Sequence, residues 1–154
     1  MRQSLHAGED GFTLIELLMV VVIVGLLAGL ALPSFLQAAG DGDDAPAKAA
    51  ASTAQLATEA LAVEHAGSYA TTSRSALHRL EPAIAISRTA RNAYLSAASG
   101  TASSYTLTVT SIPTGDKFSL TRQADGMVVR ACKLPARGAA HNGCNHVKGT
   151  SGSW

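Results

Sequence analysis

This sequence has little charge. Only 15% of its 154 residues are charged, and the formal net charge is +1. So small a balance gives no footing for binding nucleic acid through electrostatics, which needs a basic domain or stripe. Between Glu16 and Asp41 there is no charged residue at all. Cysteine is scarce: Cys132 and Cys144 are the only two, so the chain can close at most one internal disulfide. The usual patterns of catalysis are missing too. No nucleophile–base spacing, phosphate-binding glycine loop or paired-carboxylate motif stands out. Neither enzyme activity nor a cofactor is expected. Residues 1–11 lack the apolar core of a secretory signal, which excludes that role for them alone.

What the chain does have is a long apolar run behind a short polar leader. The leader ends at Gly11, and Phe12, Thr13, Leu14, Ile15 and Glu16 follow. Residues 17–32 are then apolar, rich in Leu, Val and Ile, with Gly25 and Gly29 among them. A run of about twenty residues is long enough to cross a bilayer core as a helix. Glu16 is the anomaly, because a carboxylate in such a segment costs roughly 2–3 kcal/mol and marks a functional position. Gly11 has no side chain, so a protease can approach its peptide bond closely. A cut there would leave a positive amine on Phe12, one helical turn from Glu16. A neighbouring copy's amine would then neutralise Glu16 in an apolar core. Small residues at Ala38, Ala39 and Gly40 also suit a signal-peptidase cut, but the run is longer than a secretory apolar region and contains Glu16.

Residues Gly11 to Leu17, with Pro33 late in the run, resemble the class III signal of type IV pilins and type II secretion pseudopilins. The resemblance implies a prepilin peptidase that cuts after Gly11 and N-methylates Phe12. It implies self-association into a filament through the N-terminal helix, with Glu16 as the assembly residue. It also implies an assembly platform protein and an ATPase as partners, a single pass through the inner or plasma membrane, and a domain outside the cytoplasm. Pro33 is expected to kink the helix. The alternative is a membrane-anchored binding or sensor domain that stays monomeric.

The rest reads as α+β. The expected divisions are a leader over 1–11, a membrane and assembly helix over 12–39, a breaker over 40–46 and a globular domain over 47–154. Gly40, Gly42 and Pro46 predict an interruption of the helix. The acidic residues between them lack the spacing of an EF-hand loop, and no metal is expected there. A second helix is predicted over 46–66, with Leu56, Ala57, Ala60, Leu61 and Val63 as its core-facing stripe and Gly67 as its stop. A short helix over 72–80, capped by Thr72 or Ser73, is expected to bury Leu77 and Leu80 and leave His78 at the surface. Strands are predicted over 93–97, 104–112, 117–123 and 127–132, the last three joined by tight turns at Pro113–Asp116 and Asp125-Gly126.

Residues 135–154 read as loop. His141, Cys144 and His146 with Cys132 offer a two-Cys, two-His zinc set, but the spacing is unlike a zinc knuckle. Outside the cytoplasm a Cys132–Cys144 disulfide is the simpler reading, worth roughly 3 kcal/mol. Acidic residues gather over 41–64 and basic ones over 115–154, which fits either a solvated surface or complementary contact between stacked copies.

Overall fold

The computed structural model describes residues 12–135 and 143–154, with the backbone alone over 30–41. The chain divides into two compact units between Leu36 and Gln37. One helix, α1, runs without a break from Leu14 to Glu64. The predicted interruption over 40–46 is therefore corrected. Proline breaks a helix because its ring meets the carbonyl four residues back and its nitrogen cannot bond that carbonyl. For Pro46 that residue is Gly42, which is exposed and, among the described residues, has open space around it. Its carbonyl can turn to water, and the missing bond costs less than it would in a packed interior. Just beyond, tertiary bonds hold the turn helical. Thr114 Oγ1 donates to Asp44 Oδ1 at 2.6 Å, and Ser111 Oγ donates to the Asp43 carbonyl at 3.3 Å.

The later part of α1 presents Ala47, Ala51, Ala54, Ala57, Thr58, Leu61 and Ala62 to the core. These recur at helical spacing, and most are alanines, which let a helix backbone approach a sheet closely. Thr58 satisfies its hydroxyl on the Ala54 carbonyl at 2.7 Å. The expected stripe splits in two: Ala57 and Leu61 are buried, but Leu56 and Val63 are 72% and 81% exposed. After Glu64 the chain leaves the helix through Ala66 and Gly67, both at positive φ, and the Gly67 amide closes on the Ala62 carbonyl at 2.8 Å. Gly67 thus acts as the stop.

A short helix, α2, spans Arg74–Leu80, with the Ser73 side chain accepting from the Ala76 amide. Leu77 is buried as expected. Leu80 is 40% exposed, a correction, and His78 is half-buried with Nδ1 2.8 Å from the Ile84 carbonyl.

Six strands follow: β1 (Ala93–Gly100), β2 (Tyr105–Ser111), β3 (Lys117–Arg122), β4 (Val128–Lys133), β5 (Asn145–Lys148) and β6 (Ser151–Ser153). They form one antiparallel sheet in the order β1-β2-β3-β4-β6-β5. The register lines up the core. Leu95, Val109, Phe118 and Cys132 stand opposite one another across four strands, and Leu107 faces Leu120 in the next row. All six are buried. The β1 register shifts between Leu95 and Ala97, a bulge on this outermost strand.

The C-terminal region is the second correction, because two strands lie where a loop was expected. Apart from Val147 their residues are polar or glycine, with no alternation to read. Pairing supplies the order instead. Gly152 sits opposite Cys132, and a Cβ there would come within 2.4 Å of the Asn145 carbonyl oxygen, so no side chain fits. Trp154 donates from Nε1 to the Ser119 carbonyl at 3.2 Å, stands edge-on to Phe118 and lies under the Arg130 guanidinium.

Candidate functional site

The sequence places its signal at the head of α1. Thr13 is the N-cap there: its carbonyl accepts the first helical bond, from the Leu17 amide at 3.2 Å. Its side chain accepts from the Glu16 amide at 3.3 Å. In return, Glu16 Oε2 accepts from the Thr13 amide at 2.9 Å and from the Thr13 hydroxyl at 2.7 Å. This is a reciprocal capping box, in which each residue satisfies an amide that the helix end leaves open. Its signature, Thr13-x-x-Glu16, is legible in the sequence, although no capping role is expected of Glu16 above. The cap uses the Thr13 amide, which a cut at Gly11–Phe12 leaves intact.

Around this cap the surface is apolar on every side. Phe12 is 84% exposed, and every large apolar side chain from Leu14 to Leu27 is also exposed. A helix that is apolar all round belongs in a membrane or a packed assembly. Among the described residues nothing stands within 4 Å of a Cβ built at Gly25 or Gly29, so no packing there requires either glycine. Among the described residues no helix is long and apolar enough to cross a membrane. The side chains of 30–41, where the apolar run ends, lie outside that description, as do Gly11 and the rest of the leader. Pro33 lies inside α1, and its side chain is outside the described residues.

Cys132 and Cys144 form a disulfide, with Cα atoms 5.8 Å apart, joining β4 to the residue before β5. Both sulfurs are thereby taken from the candidate zinc set. His141 lies outside the described residues, and His146 is exposed on β5. Among the described residues no group of three His, Cys, Asp or Glu side chains comes together.

The other polar centre of the fold is Glu59, which the sequence reading passed over. It accepts from the Tyr69 hydroxyl at 2.7 Å and from the Tyr105 hydroxyl at 2.9 Å, with Arg122 at 3.9 Å. The two rings stack at a tilt, 4.9 Å apart, and Arg122 lies over Tyr69. Burial and then the bond to Glu59 push the Tyr105 phenol far above its ordinary range. The bond to Glu59 is the leading cause of a smaller rise at Tyr69. Both phenols thus stay protonated as donors, and the cluster pins α1 to β2 and β3. The only sequence signal was one carboxylate among the alanines of a buried helix face.

Residues 7–32 match the family model for the prokaryotic N-terminal methylation motif. No curated protein and no solved structure matches the chain. The match spans the end of the leader, the cap at Thr13 and Glu16, and the exposed apolar start of α1, and through it the chain carries the class III signal of type IV pilins and pseudopilins.

Proposed function

We propose that this protein is a filament subunit, not an enzyme, made as a precursor and assembled through the start of α1. The observation that carries this reading is the methylation motif over 7–32, in register with Gly11, Phe12 and Glu16. A prepilin peptidase cuts after Gly11 and N-methylates Phe12. The apolar helix anchors the subunit in the membrane, with the sheet domain outside the cytoplasm. An assembly platform protein and its ATPase then draw subunits into the filament. The exposed apolar surface from Phe12 to Leu27 supports the last step, since packing against copies of itself would bury it. In the free subunit Glu16 caps its own helix. In the filament it faces the new amine of a neighbouring Phe12, which matches a charge that an apolar core would otherwise leave unpaired.

The experiment is co-expression with a prepilin peptidase. Intact mass is expected to place the mature terminus at Phe12, and Gly11→Val to block the cut. Glu16→Ala is expected to leave a cleaved, membrane-bound subunit that yields few filaments on shearing. Wild-type filament yield from that variant would reject the role of Glu16. An uncut chain that never polymerises would favour a monomeric anchored domain.

A further inference from the structure

One junction of the domain holds charge where charge is least comfortable. Asp44, on α1, is 0% exposed, and Asp116, in the turn between β2 and β3, is 1% exposed. Thr114 joins them, and the two carboxyls are close enough that the charge of Asp44 is felt at Asp116. The Oδ2 atom of each is buried and finds no donor among the described residues. The other contacts already have their protons placed. Asp44 Oδ1 takes the Thr114 hydroxyl at 2.6 Å, and Thr114 Oγ1 takes the Asp116 amide at 3.2 Å. Two ionised carboxylates have no hydrogen to share, and side by side away from water they repel. Something positive must stand between them. The geometry points to a single proton held between Asp44 and Asp116, which latches α1 to the β2–β3 turn and releases it as the proton leaves.

A proton fits better than a metal ion. Calcium takes six to eight oxygens, and no third carboxylate joins the pair among the described residues. Among the described residues the charged groups nearby do not replace the proton. Lys48, one turn along α1 from Asp44, directs its ammonium toward Gly143 and the Phe118 ring. Lys117 on β3 adjoins Asp116 and is exposed, as is Lys133 opposite it on β4. Asp43, the other described carboxylate on this stretch of α1, is exposed. His146 on β5 follows Cys144 by two residues and is exposed. Among the described residues no cation makes an ion pair with either aspartate. Gly143, at φ +72°, closes over the junction, where a Cβ would come within 3.2 Å of the Asp44 Cβ. Burial first, and then the charge of Asp44, push the Asp116 carboxyl up to about 7.

The sign follows from linkage. The folded pair holds a proton that the unfolded chain releases above about pH 4, so the latch stabilises fully below that point. Its contribution falls as pH rises and is gone above about 7. The inference does not rest on filament formation, and the test uses the full chain as a monomer in detergent.

Thermal midpoints are measured from about pH 5 to about pH 8 for the wild type, Asp116→Asn and Asp44→Asn, each also on a His146→Gln background. The wild type is expected to lose about 5 °C or more across this range. Each asparagine supplies a fixed donor in place of the proton, so that slope is expected to vanish, with Asp116→Asn melting above the wild type at the alkaline end. Wild-type slopes in both variants would overturn the latch. So would a calcium-dependent rise in the wild-type midpoint at the alkaline end that a chelator removes. Should either variant fail to fold, carboxyl carbon NMR of the wild type decides. One aspartate titrating near neutrality supports the latch, and a full set of ordinary aspartates rejects it.

Discussion

The two ends of α1 are both apolar and both helical, yet they do opposite things. From Leu14 to Leu27 the large side chains are Leu, Ile, Met and Val on all faces, and all are exposed. From Ala47 to Ala62 the buried residues are mostly alanines on one face, while Leu56 points outward. Hydrophobicity alone does not say which residues a fold buries. Side-chain size and the distribution around the axis do. A face of alanines lets a helix lie close on a sheet. A full cylinder of large aliphatic side chains fits no single sheet, and asks for lipid or for other helices all round.

The sharpest way to test this contrast is to truncate one large side chain in each region. Phe118→Ala, beneath the sheet end of α1, is expected to cost about 3–5 kcal/mol of domain stability. Val22→Ala at the head is expected to leave the domain's denaturation midpoint within error. A similar loss from both would erase the distinction. Next in size is the disulfide. Replacing Cys132 and Cys144 by serine is expected to cost about 3 kcal/mol in chemical denaturation, and to unpair β5 and β6 first in hydrogen exchange. Smaller again is the pair Ala54→Leu and Leu56→Ala. The first overpacks the close helix–sheet contact, at about 1–3 kcal/mol. The second changes an exposed side chain and is expected to shift stability by less than about 0.5 kcal/mol. The smallest effect is expected from Thr13→Ala. It removes the cap, and faster amide exchange over the first turn, with an unchanged domain midpoint, is the signature.

Much of this architecture was legible in the residues. Alternation in β2 and β3, and the Asp125-Gly126 turn, fixed the middle of the sheet, since one face had to be apolar. Of the two caps expected for α2, Thr72 and Ser73, the second starts the helix. The head of α1 could be read because a lone glutamate in an apolar run admits few explanations. The misreadings share a cause, which is tertiary contact. Gly42 and Pro46 do weaken a helix locally, but the bonds from Thr114 and Ser111 come from about seventy residues away, and no local rule weighs them. β5 and β6 exist because β4 and the disulfide give them something to pair with. Their own residues would favour coil. Leu56 was assigned inward because helical spacing identifies which residues share a face, not which face meets the sheet. The acidic run that holds Asp44 fits a solvated surface or contact between copies, whereas the Asp44 side chain is buried against Thr114.

The bulge between Leu95 and Ala97 bears on how such chains behave in a crowd. An outer strand normally offers a row of unpaired amides and carbonyls on which a stray strand can lie. Here that row is bent out of line, and at the opposite border β5 is only four residues long. Neither border is a flat template. Concentrated copies of this protein are therefore guarded against adding strand to strand and drifting into amyloid-like growth, while the start of α1 keeps its apolar surface exposed.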